Sequence, residues 1–174
     1  KYRALPNFEK RELPVDDFGA KEKKIRVILG LQKDAFTKEG IETFFNSTYR
    51  PTSECDRMGY RLDGPVIEHK NGADIISDGI SLGAIQVPGS GLPIVMLTDR
   101  QTTGGYTKIG TVIGVDIPDF AQSVAGTGIH FEEIGVVEAQ DLYAEQFAYY
   151  DRMRKEFNTV SLKDRILLWI EKLK

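Results

Sequence analysis

The chain has 174 residues, 41% hydrophobic and 28% charged, which suits one globular domain with a real core and is too short for two large ones. Lys and Arg number 23 against 26 Asp and Glu, a net charge of −3, which excludes a generally basic surface for nucleic acid or anionic membrane. The lone cysteine, Cys55, excludes a disulfide framework within the chain and points to a reducing, cytoplasmic compartment.

Residues 1–22 are rich in charge and proline without sustained periodicity and read as a linker; "KYRALPNFEKRELP" is no signal peptide. "KKIRVILG" predicts a strand with Ile25, Val27 and Leu29 on one face, ended by Gly30. "TKEGIETFFNS" predicts a short helix with Thr37 as N-cap and Ile41, Phe44 and Phe45 as its apolar stripe. Fourteen of the 17 glycines then fall between Gly59 and Gly135, among short β-branched runs, which predicts several short strands in a barrel or sandwich. The longest uncharged run, Gly79 to Thr98, is broken by Pro88 and Pro93 and reads as buried strands and a turn rather than a membrane span. "KIGTVIGVDI" predicts a strand over residues 108–117, with Gly110 and Gly114 leaving room for another backbone or a ligand. "PDFAQSVA" predicts a short helix and "GIHFEEI" a closing strand. Apolar residues at three-to-four spacing, from Ala139 to Phe157 and from Leu162 to Leu173, predict a helical tail over residues 138–174.

Three segments concentrate polar side chains beside glycines. In "SECDRMGYRLDGP" strand alternation turns Arg61 away from Tyr60 and Leu62, while Arg57 approaches the same strand. A guanidinium there suits a carboxylate or phosphate, with Asp56 to orient it. An Asp–Arg pair that merely ties a turn stands slightly ahead on pattern alone. In "LGAIQVPGSGLPIVML" Gln86 lies on the face opposite Ile85 and Val87; its amide could read an amide or ureido group, or satisfy a backbone group within a barrel. In "TDRQTTGGYTKIG" an apolar strand runs out into Asp99, Arg100, Gln101, Thr102 and Thr103, then Gly104 and Gly105, before re-entering at Tyr106. The paired glycines suit an anion-cradling backbone nest or, more commonly, a hairpin. No P-loop occurs, the histidines His69 and His130 lack partners at zinc-ligand spacing, and no metal site is expected.

Together, "DRMGYRLDGP", "GAIQVPGSGLPIVMLTDRQTTGGYTKIGTVIGVDIPDFAQ" and "GIHFEEIGVVEAQ" resemble the C-terminal half of the biotin-dependent carboxyltransferase family, also known as allophanate hydrolase subunit 2. "RVILGLQKDAFT" extends the resemblance to roughly residues 24–140. It implies a mainly β fold: a cyclophilin-like β-barrel with short helices and a C-terminal helical tail. The expected boundaries are a linker over 1–22, a carboxyltransferase-family half-domain over 23–137 and the tail over 138–174. The sequence departs from the family in lacking an N-terminal half, in carrying Cys55 where the family has serine, and in the length of its tail.

The family carries two chemistries. In 5-oxoprolinase, the B and C subunits use ATP with Mg²⁺ to activate the lactam carbonyl, and a third, ring-opening subunit then yields glutamate. In urea carboxylase, a carboxyl group passes from biotin to urea. The resemblance favours a fragment of the 5-oxoprolinase C subunit, inactive without its N-terminal half and the B subunit. It implies Arg57 and Arg61 for an anion, Gln86, Gln101 and Tyr106 for the amide, and Asp99 to orient a neighbour or act as base. Arg57, Asp99 and Tyr106 are the expected catalytic set, with Asp56, Arg61, Gln86, Gln101, Thr102, Gly104 and Gly105 binding substrate. The rival from another class is a regulatory docking protein that antagonises a kinase inhibitor, since fold does not fix function. No nucleic-acid or membrane partner is expected.

Overall fold

The computed structural model describes residues 21–158, with side chains through residue 155. The described residues fall into two compact units, residues 21–143 and residues 144–158. The predicted helix beyond Thr159 and nearly all of the segment read as a linker lie outside the described residues.

The first unit is built on nine strands. Strand β1 (Glu22–Leu29) places Ile25 and Val27 in the core, as the alternation requires. Then come β2 (Thr48–Cys55), β3 (Gly59–Asp63), β4 (Asp74–Gly79), β5 (Ala84–Gln86) and β6 (Ile94–Met96). The last three are β7 (Thr103–Tyr106), β8 (Lys108–Val112) and β9 (Gly128–Glu133). Seven of them close a barrel in the order β1-β8-β5-β6-β3-β2-β9, while β4 and β7 form a separate two-stranded ribbon. Neighbours in the barrel are antiparallel except β1 and β9, whose parallel pairing closes it.

Helix α1 (Lys38–Asn46) starts where the sequence predicts, because Thr37 Oγ1 accepts the Gly40 N–H at 2.9 Å. Its Phe44 stacks on Phe131 of β9 at 4.5 Å between ring centroids, and both belong to one core cluster with Ile25, Val27, Ile85 and Ile109. Each such buried side chain stabilises by about 1.5–3 kcal/mol.

The strand predicted over residues 108–117 is shorter than its apolar pattern. It stops at Val112, a 3-10 turn follows at Gly114–Asp116, and helix α2 (Ile117–Phe120) begins directly. Pro118 cannot donate to a ladder, and Asp116 is captured by Arg26 of the neighbouring strand β1. Its carboxylate accepts the Arg26 backbone N–H at 2.8 Å and the guanidinium at 3.0 and 2.5 Å. Beside it, the buried Lys23 Nζ donates to the Asp119 carboxylate and carbonyl, each at 2.7 Å. The glycine inference holds at Gly110: a Cβ there would lie 2.5 Å from Val27 Cγ1 and 2.8 Å from the Ile28 carbonyl oxygen.

Helix α3 (Val136–Asn158) begins in the barrel unit, where Ala139 and Leu142 pack with Ile113 and Ile134. In the second unit its described stretch carries an Arg154–Asp151 pair at 2.7 Å. Among the described residues no helix is long and apolar enough to cross a membrane.

Candidate functional site

Two cavities meet at Gln101. The smaller, about 460 Å³, is floored by Gln86 and walled by Glu54, Asp56, Arg61 and Tyr106, with Cys55, Met58 and Met96 beside them. The larger, about 760 Å³, runs between the Gly30–Gln32 turn, the end of the β4–β7 ribbon, and the 98–102 loop. The structure therefore gathers Asp56, Arg61, Gln86, Gln101 and Tyr106 around one pocket, and places Gln101 and Thr102 on the other. Arg57, Asp99, Gly104 and Gly105 are not lining residues of either.

Gln86 is the most informative of these residues. It is 2% exposed, and its Nε2 is buried without a hydrogen-bond partner among the described residues. A buried amide N–H left unpaired costs about 1–3 kcal/mol unless something supplied from outside accepts it. The adjoining backbone leaves room for that side chain: a Cβ on Gly104 would sit 2.7 Å from Gln86 Nε2 and 2.6 Å from Ile80 Cδ1.

Gly104 and Gly105 do not form an anion nest. Both lie within strand β7, and neither has positive φ. Register Asp78↔Gly104 pairs their strand with β4, so the backbone is extended and its N–H groups do not converge. Gly104 instead leaves space for Gln86 and Ile80. The turn read at "PGSG" does form: Gly91 N–H bonds the Pro88 carbonyl at 2.9 Å, with Gly91 at φ +74°.

The two arginines singled out by pattern each have a carboxylate already. Arg57 Nε lies 2.8 Å from Asp99 Oδ2, with the Arg57 side chain 79% exposed. Arg61 Nε lies 3.2 Å from Glu54 Oε2. Asp56 does not orient Arg57. It turns back to accept the Met58 and Gly59 N–H groups at 2.7 and 3.1 Å, which ties the turn before β3. Asp99 thus orients a neighbour, Arg57, and the pairing is locked by the Asp99 N–H to the Arg57 carbonyl at 2.9 Å. Arg61 faces away from Tyr60, whose hydroxyl donates to the Ala121 carbonyl at 2.8 Å, and from the buried Leu62, as alternation predicts.

Around these groups the chemistry is quiet. Burial pushes the Cys55 thiol above its ordinary pKa, away from nucleophilic character. In the larger cavity Lys108 Nζ bonds Asp78 at 2.5 Å and the Gly79 carbonyl at 2.9 Å. The Lys108 bond, with the Gly79 N–H, holds the Asp78 carboxyl below its usual range. Among the described residues no three His, Cys, Asp or Glu side chains are grouped to hold a metal ion.

The geometry is that of a closed β-barrel carrying a polar pocket lined by a buried, unpartnered amide nitrogen. The profile of the carboxyltransferase domain, subdomain A and B, matches residues 4–133. The chain belongs to that family. It is 37% identical over 131 residues to the 5-oxoprolinase C subunit of Haemophilus influenzae and 34% identical over 130 residues to that of Escherichia coli. Each match covers 75% of this chain and 42% of the relative, so the chain spans less than half the length of these proteins. Among solved structures, the urea amidolyase of Kluyveromyces lactis superposes with a TM-score of 0.74 at 27% identity, over 80% of this chain and 9% of that one. The urea carboxylase of the same organism does so equally, over 13% of its length.

Proposed function

We propose that this chain forms the amide-binding pocket of a 5-oxoprolinase, working with the rest of its module, the B subunit and a ring-opening subunit. The observation that supports this most directly is the buried, unpartnered Nε2 of Gln86 at the pocket floor. Its N–H would donate to the lactam carbonyl of 5-oxoproline, with Gln101 and Tyr106 at the pocket mouth fixing the ring. The pocket wall holds two carboxylates, Glu54 and Asp56, against one guanidinium, Arg61, a balance that suits a neutral amide. ATP with Mg²⁺ is assigned to the partner and would supply phosphoryl activation of the carbonyl; this chain's share is to bind and orient it.

The test is 5-oxoproline-dependent ATP hydrolysis by the full-length protein reconstituted with the B subunit. Gln86→Leu is expected to lower kcat/KM by roughly ten- to a hundredfold, as the loss of a buried hydrogen bond would, while the complex assembles normally. The 174-residue chain alone is expected to show no turnover. Wild-type turnover that ignores 5-oxoproline would sink the reading.

Carboxyl transfer from biotin to urea is the second reading. The TM-score of 0.74 to a urea carboxylase at 27% identity favours it. Urea is also a small planar amide that could lie on Gln86. Carboxybiotin-dependent consumption of urea by the same reconstituted protein, with no response to 5-oxoproline, would move it ahead.

A further inference from the structure

The larger cavity contains a cation that the pocket chemistry above does not use. Arg100 is half-buried in the cavity wall. Two backbone carbonyls hold it: Nε donates to Ile80 at 3.0 Å and Nη1 to Leu97 at 3.2 Å. Its sequence neighbour Asp99 is occupied by Arg57. No carboxylate pairs with Arg100 among the described residues, unlike Arg57, Arg61 and Lys108.

A guanidinium has five N–H donors in a fixed plane. The two carbonyl contacts fix the plane and leave both hydrogens of Nη2 and one of Nη1 without a protein acceptor among the described residues. That is the edge with which arginine binds two oxygens at once. The hydroxyls of Ser81, Thr98 and Thr102 line the same cavity, and none of them has a side-chain bond of its own among the described residues. Lys108 adds a second cation, opposed by Asp78 alone, so the charge balance here is the reverse of that in the Gln86 pocket.

We propose that Arg100 anchors an oxyanion, the carboxylate or phosphoryl group of a small molecule, in the cavity next to the Gln86 pocket. Arg57 and Arg61, the arginines that the sequence pattern picks out, are already paired, Arg57 with Asp99 and Arg61 with Glu54 of the adjacent strand. Gln101 lies between the two cavities and can touch a ligand that reaches both. The assignment stands on the geometry of Arg100 and does not depend on what occupies the Gln86 pocket.

The experiment titrates the 174-residue chain with three probes: inorganic phosphate, 5-oxoproline, and 2-pyrrolidinone, the same lactam without its carboxylate. Binding is read by calorimetry and by the side-chain NMR signals of Arg100. Phosphate or 5-oxoproline is expected to shift the Arg100 guanidinium signals. Arg100→Gln is expected to weaken that anion at least tenfold and leave 2-pyrrolidinone unchanged. An effect on phosphate alone identifies a phosphoryl site, and an effect on 5-oxoproline alone a carboxylate site. Arg100→Lys keeps the charge without the fork and serves if Arg100→Gln fails to fold; it is expected to recover only part of the affinity. The proposal is overturned if neither anion binds wild type, if wild-type Arg100 signals stay still at saturation, or if 2-pyrrolidinone weakens as much as 5-oxoproline. Failure of the lactam reading would show differently, as phosphate binding at Arg100 with no binding of 2-pyrrolidinone.

Discussion

His69 shows how a single side chain couples this fold to pH. Its Nε2–H lies 3.1 Å from the Val87 carbonyl, and its ring packs on Phe36 at 4.7 Å. Burial lowers its pKa below the ordinary 6.5, with the Val87 bond working weakly against that. The folded state therefore takes up a proton less readily than the unfolded chain. Stability from this group is complete above about pH 6.5 and is lost as pH falls through the lower folded-state value. Denaturant unfolding of wild type and His69→Gln at about pH 7.5 and about pH 5 is expected to show the larger acid loss in wild type. A wild-type-minus-variant difference that is the same at both pH values would refute it. At this scale the sequence was only partly readable. Strand alternation put Arg61 on the correct side of β3, because side-chain direction is a local property. Partner choice is not local: Asp99 reaches Arg57 across 42 positions, and nothing near "DRQ" indicates that Asp99 and Arg100 part company.

Among the elements, α1 was legible to the residue because its signals are self-contained: a capping threonine, an acidic first turn and an apolar stripe. Thr37→Ala should remove the 2.9 Å cap to Gly40 and cost about 1 kcal/mol, a fall in Tm of roughly 2–4 °C for a chain of this size. Thr37→Ser keeps the oxygen and should fall by much less; equal losses in a calorimetric scan would assign the effect to the lost methyl. The β8 region was misread for the opposite reason. Its alternation of Ile, Thr and Val continues past the point where Arg26 seizes Asp116 and bends the chain into a 3-10 turn. A partly buried ion pair formed over 90 positions outweighs a local period. Gly104 and Gly105 belong to the same class of miss. Glycine pairs advertise turns, yet here both are strand residues, and Gly104 is thinned to admit Gln86 and Ile80.

For the whole molecule, the recurring glycines and short β-branched runs gave the architecture, and the motif order gave the family. Of the candidate residues, Asp56, Arg61, Gln86, Gln101 and Tyr106 gather around one pocket, but the division into two cavities of opposite charge balance was not legible. That division depends on which acids are already consumed by which cations, a property of the closed barrel rather than of any segment.

The barrel closes through β1 and β9, which run in the same direction over six residue pairs, from Glu22↔Gly128 to Val27↔Glu133. That closure has a mechanical consequence. Pulling on Glu22 and Glu133 drags the two strands along each other, so every bond between them is loaded together. Pulling on Thr48 and Asp63, near the Arg50↔Asp63 end of the antiparallel β2–β3 pair, instead opens bonds one after another. Single-molecule stretching with handles at the first pair of sites should therefore need clearly the higher force, at equal loading rate, because forced rupture reports the unfolding barrier and not the equilibrium stability. Equal forces would mean that the seam does not act as a clamp. If it does, the barrel can sit inside a much longer chain and stay folded while the segments on either side of it are moved.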